Sequence, residues 1–120
     1  MEKQPKCFGK LLRETRVYKG FSLRKFAEMV GVSPTYLSQV EQENVDPPTA
    51  ERVKRMAELL GENVDQWISL AGRVPDDVPG IIHKQPTEMP QLLREASGLS
   101  ADQLRQLREH VRKLKEEGGM

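Results

Sequence analysis

The sequence predicts an all-α protein: five short helices in one bundle, then a proline-rich linker, then further helices at the C-terminus. Three observations lead there. Apolar residues recur at spacings of three and four through most of the chain, the period of a helix with one buried face. Glycines and Ser or Thr caps punctuate the first 72 residues at short intervals, marking helix ends. No run alternates apolar and polar residues in the way a half-buried strand requires.

The first helix is expected over about residues 7–18, where Phe8, Leu11, Leu12 and Thr15 share a face and Gly20 is placed to stop it. Ser22 suits the N-cap of the second, whose Leu23, Phe26, Ala27 and Val30 form one apolar stripe. Gly31 supplies a sharp turn. Ser33 caps the third helix with Pro34 at its first position, where a missing N–H costs nothing, and Leu37 and Val40 face inward. After the loop at residues 43–48, Thr49 caps a fourth helix that turns Val53, Met56, Ala57 and Leu60 inward and closes at Gly61. A fifth, from about Val64 to Leu70, offers Trp67, Ile68 and Ala71 to the core and ends at Gly72. Residues 1–72 therefore read as one domain.

Composition changes at Arg73. Residues 73–90 hold four of the eight prolines and read as a linker or extended crossover, with at most a turn of helix near Ile81 and Ile82. Two more helices are expected, over about residues 88–97 and 100–117, the second opening on the capping-box pattern Ser100-Ala101-Asp102-Gln103. Its Leu104, Leu107, Val111 and Leu114 fall at spacings of three, four and three, the seam of a coiled coil.

Several function classes are disfavoured. No stretch approaches the roughly 18 apolar residues of a membrane span, and the first residues lack the apolar core of a signal peptide. A single cysteine, Cys7, cannot form an internal disulfide, so the cytoplasm is the expected compartment. His83 and His110 stand far apart without a Cys/His/acid cluster, and Asp76-Asp77 reads as a solvated turn. No phosphate-binding glycine loop and no nucleophile–base spacing is visible, so neither an enzyme nor a cofactor is expected. The net charge of +1 conceals an asymmetry. Residues 1–25 carry eight Lys/Arg against two acids, a net of +6, whereas residues 26–72 carry three against eight, a net of −5. A phosphate backbone can meet the first face while the other stays acidic.

Residues 22–41 carry the functional signal. One helix ends at a glycine, three residues turn the chain, and a second helix begins under a serine cap. Ala27 is small, so the two helices can cross closely, and Leu37 and Val40 lock the second onto the core. Its other face presents Pro34, Thr35, Ser38 and Gln39, side chains that are short and mostly polar and uncharged, as expected of groups that approach base edges.

These residues resemble the lambda-repressor-like helix-turn-helix domain of the Xre/Cro family. The likeness runs through Leu11-Leu12-Arg13, Lys19-Gly20-Phe21-Ser22, Phe26-Ala27, Gly31-Val32-Ser33, Tyr36 to Glu41, Pro48-Thr49 and Ala57 to Gly61. It implies a five-helix bundle whose third helix lies in the major groove of double-stranded DNA, with Ser33, Thr35, Ser38 and Gln39 reading bases. Gln39 is the most informative, since its amide can bond an adenine edge bidentately. Ser22, Arg24, Tyr36, Gln42 and Asn44 are then placed for phosphates, which fix register without reading sequence. Arg16 and Glu41 occupy positions that form a buried ion pair in relatives. Leu23 stands where the family often has a phosphate-binding Gln, and Glu43 and Asp46 make acidic a loop that is often basic. Both departures point to modest affinity per monomer, and hence to two linked copies.

The seam at Leu104, Leu107, Val111 and Leu114 admits three uses: a homodimer built from residues 91–120, packing back on the bundle, or docking of another protein. Pairing is the favoured use, because two-fold symmetry doubles the contacts of a small reading head on a palindromic site. The expectation is a dimeric sequence-specific regulator, more often a repressor. The alternative is an antitoxin-type autoregulator whose C-terminal helices bind a partner protein.

Overall fold

The structure, a computed structural model, describes residues 7–118; Lys3, Lys6 and the Cys7 side chain lie outside what it describes. It is all-helical, with no strand among the described residues. The chain divides into two units, residues 1–78 and 79–120.

The first unit contains α1 (Cys7–Tyr18), α2 (Leu23–Val30), α3 (Pro34–Glu41), α4 (Ala50–Leu60) and α5 (Val64–Leu70). Side-chain caps start four of them. Ser22 Oγ accepts from the Lys25 N–H at 3.0 Å, Ser33 Oγ from Tyr36 at 3.0 Å and Thr49 Oγ1 from Arg52 at 3.3 Å. Asn63 Oδ1, a cap the sequence reading did not name, accepts from Gln66 at 2.8 Å. Each satisfies one of the donors a helix start leaves orphaned, worth about 1 kcal/mol. Gly31 ends α2 at φ 91°, a left-handed conformation that turns the chain into α3 and that a Cβ would penalise.

The apolar stripes meet in one core. Phe8, Leu12, Phe26, Ala27, Leu37, Val40, Val53, Met56, Ala57, Leu60, Trp67 and Ile68 are each no more than 2% exposed. Phe8 and Trp67 pack edge to face, with ring centroids 5.7 Å apart and planes at 83°, which ties the start of α1 to α5.

Helix α6 (Val78–Lys84) begins at the boundary, and α7 (Glu88–Ala96) and α8 (Ala101–Gly118) follow in the second unit. The expectation of at most one turn near Ile81 and Ile82 is corrected: seven residues are helical there. The prolines explain it. Pro79 is the second residue of α6 and Pro90 the third of α7, positions in the first turn where no intrahelical N–H bond is lost. Pro75 lies before α6 and Pro86 after it, so these prolines delimit helices rather than exclude them. The capping box closes reciprocally at α8: Gln103 N–H donates to Ser100 Oγ at 3.1 Å, and Ser100 N–H to Gln103 Oε1 at 2.9 Å. Helices α6 to α8 bury no residue. Leu104, Val111 and Leu114 are 39%, 40% and 53% exposed, and Leu107 is half-buried.

Candidate nucleic-acid interface

Helix α3 is fixed from three sides. Leu37 is fully buried and Val40 nearly so, which sets its rotation, and Ala27 on the neighbouring α2 is fully buried too. At its C-terminal end Arg16 of α1 grips Glu41. The guanidinium Nε donates to Glu41 Oε2 at 2.6 Å and Nη2 to Oε1 at 2.9 Å, a two-pronged fork. Its Nη1 donates to the Phe21 carbonyl at 2.8 Å, so one side chain joins α1, the α1–α2 turn and α3. Arg16 and Glu41 are each 7% exposed.

Gly9 is the third constraint. A Cβ there would lie 2.4 Å from the Val40 carbonyl oxygen and 2.9 Å from that of Glu41. The backbones of α1 and the end of α3 therefore approach more closely than any side chain permits.

With the inner face fixed, Pro34 and Thr35 are exposed and Ser38 and Gln39 are half-buried. Ser33 is exposed, and its oxygen already accepts the capping bond, which leaves its hydroxyl proton to donate. Ser22 stands in the same condition at the start of α2, with Arg24 exposed in the first turn. Ser38 Oγ accepts from Gln42 Nε2 at 2.7 Å, and Gln42 Oε1 accepts from Asn44 Nδ2 at 3.4 Å. Three residues assigned to two roles thus form one surface chain running off the end of α3. Tyr36 is half-buried, and the Arg52 guanidinium stands 6.0 Å from its ring centroid, at the outer limit of a cation–π contact.

The segment after α3 carries features the sequence reading missed. Glu43 has φ 62°, a left-handed conformation that a non-glycine residue adopts at a cost. It allows the Glu43 N–H to bond Val40 O and the Asn44 N–H to bond Gln39 O, both at 3.0 Å, closing the helix end. Its carboxylate accepts from the Lys10 N–H at 3.2 Å, in the first turn of α1, where a negative charge complements the helix dipole. Glu43 therefore caps a helix 33 residues away, besides adding acid to the loop. At the other end of the segment, Arg73 donates from Nε to the Pro48 carbonyl at 3.0 Å and from Nη2 to that of Pro47 at 2.6 Å. No local pattern marks either bond, although a glutamate following a helix and an arginine just past a helix-ending glycine are the places to look.

Among the described residues no group of three His, Cys, Asp or Glu gathers as a metal site, and no helix is long and apolar enough to cross a membrane.

The profile of a family described as helix-turn-helix domain matches residues 9–73. Among solved structures, the chain is similar to the master regulator for biofilm formation SinR in complex with DNA, at 28% identity, covering 51% of this chain and 97% of that one with a TM-score of 0.47. The N-terminal DNA-binding domain of SinR from Bacillus subtilis is 27% identical over 52% of this chain and 91% of that one, with a TM-score of 0.48. The clp gene regulator ClgR from C. glutamicum is 32% identical over 57% and 87%, with a TM-score of 0.48. Among curated proteins, none matches.

Proposed function

The chain belongs to the helix-turn-helix domain family, and on that premise we propose that it is a sequence-specific DNA-binding transcriptional regulator, a repressor that reads a palindromic operator as a homodimer. The observation that carries this reading is the two-faced character of α3. Leu37 and Val40 are sealed in the core, while Ser33, Thr35, Ser38 and Gln39 line the other side with short, uncharged, hydrogen-bonding groups. A face needed only for solubility would carry Lys and Glu. Ser, Thr and Gln side chains can each hydrogen-bond base edges in the major groove.

In this reading Thr35, Ser38 and Gln39 meet base edges, joined by the free hydroxyl proton of Ser33. The Gln39 amide takes an adenine through one donor and one acceptor, worth about 1–3 kcal/mol of discrimination. Ser22, Arg24, Tyr36, Gln42 and Asn44 flank that row and hold phosphates. The Ser38–Gln42–Asn44 chain supports this arrangement, since it links one of the base readers to the loop that follows α3. Arg16, Glu41 and Gly9 touch no DNA; they hold α3 at its angle.

Eight residues of recognition helix read few base pairs, so a second copy supplies the rest. The seam Leu104, Leu107, Val111 and Leu114 is assigned to that pairing. Leu104, Val111 and Leu114 are about 40–50% exposed at the spacing of one seam, an apolar stripe of the kind a second copy would cover. A regulator of this kind works in the cytoplasm and needs no cofactor. The proposal is tested by binding of purified protein to a palindromic site recovered from random DNA: preference over shuffled sequence supports it, and equal affinity for both contradicts it.

A further inference from the structure

We propose that Arg73 is a positioning residue for DNA binding: it holds the segment between α3 and α4 so that Gln42 and Asn44 can meet the phosphate backbone. This inference rests on the reading of that loop as DNA-facing.

The segment from Gln42 to Pro48 leaves the recognition helix and returns to the bundle at Thr49. A loop of this length carries considerable backbone freedom, which must be given up when the loop is fixed. Two anchors supply the constraint. At the near end Glu43, held in a left-handed conformation, bonds the Lys10 N–H of α1. At the far end the planar guanidinium of Arg73 spans two successive carbonyls, those of Pro47 and Pro48. Prolines have no N–H, so these residues cannot be tied down by donating, and their carbonyls are the handles that remain. A charged donor to a carbonyl is also stronger than a neutral one. Asn44 lies between the anchors and Gln42 just before the first, the two joined to each other and through Gln42 to Ser38. The loop is therefore presented as a shaped surface continuous with α3.

Arg73 is the first residue beyond Gly72, where the fifth helix has ended. It belongs to no helix of the reading head, yet it sets the head's trailing edge.

The test is a cycle on the full-length protein with duplex DNA as the probe, using R73A, R73K, the pair Q42A/N44A, and R73A combined with that pair. Thermal unfolding confirms that each is folded at the binding temperature. R73A is expected to weaken binding about three- to tenfold, on specific and random duplex alike, because phosphate contacts carry no sequence. The salt slope should stay unchanged, since Gln42 and Asn44 are neutral and displace no counterion. R73K should recover little, because an ammonium cannot span both carbonyls. In the Q42A/N44A background R73A should cost almost nothing further, the non-additivity of groups acting through one another.

A slope smaller by about one would mean that Arg73 itself contacts phosphate, and full recovery by R73K would mean that its charge alone matters. Either result overturns positioning. A loss in Q42A/N44A without one in R73A, or losses that simply add, overturns it while leaving the loop on DNA. No loss in any variant removes the loop from the interface and the inference with it.

Discussion

Replacing Arg16 by methionine should destabilise the first unit by about 3–5 kcal/mol, the cost of stranding one member of a buried charge pair. The structure gives the reason for placing it at that level. Arg16 makes both fork contacts to Glu41 at 2.6 and 2.9 Å and a third to the Phe21 carbonyl, and neither partner is more than 7% exposed. Water cannot replace what is lost. The ion pair of Arg112 with Glu109 on α8 is the internal contrast: its N–O distance is 3.0 Å, but its side chains are 54% and 62% exposed. Such a surface pair contributes about 0–1 kcal/mol. For a unit of this size, about 4–8 °C accompanies each kcal/mol, so the midpoint should fall by at least about 12 °C. Trp67 is the chain's one tryptophan and is buried against Phe8, so its fluorescence reports this unit during heating or urea titration. Joining R16M to E41L should restore most of the loss, because an apolar pair in place of a buried ion pair is often neutral or better. An unchanged midpoint in R16M, or a double variant no better than the single, would refute this account of the pair.

Three further outcomes are expected. Gln39→Ala should weaken specific binding by about 1–3 kcal/mol and relax preference at one base pair with the unfolding midpoint unchanged; equal loss on random DNA contradicts base reading. Leu107→Asp with Leu114→Asp should yield monomers by light scattering, since charges in an apolar seam repel across it, and an unaltered mass would rule out the seam as the dimer contact. Gly9→Ala should cost about 1–3 kcal/mol and weaken DNA binding, because the added methyl meets backbone oxygens at 2.4 and 2.9 Å that cannot move without shifting α3; a wild-type midpoint counts against that close approach.

Much of the first unit was legible because its signals are local. Helix α1 runs over the residues its apolar spacing marks, and Ser22, Ser33 and Thr49 each make the capping bond their position suggests. Prolines misled because they were weighed as composition. Pro79 and Pro90 permit helices when they stand in a first turn, and only the helix start decides which case applies. The features missed around the site are all long-range. Glu43 to Lys10 spans 33 residues and Arg73 to Pro48 spans 25, so no pattern within a turn of helix contains both partners. Glu43 shows the difference most plainly. Read from the sequence it is an acid in a loop that ought to be basic; in the fold its carboxylate caps α1.

The central claim is that the outward face of α3 reads sequence, and selection of bound fragments from a random DNA pool, washed at about 150 mM salt, tests it most directly. The account predicts an enriched palindrome with half-site centres about one helical turn apart, lost on Gln39→Ala at one position in each half. Salt-sensitive binding with no enriched sequence would contradict it, and would turn attention to a protein partner of residues 73–120.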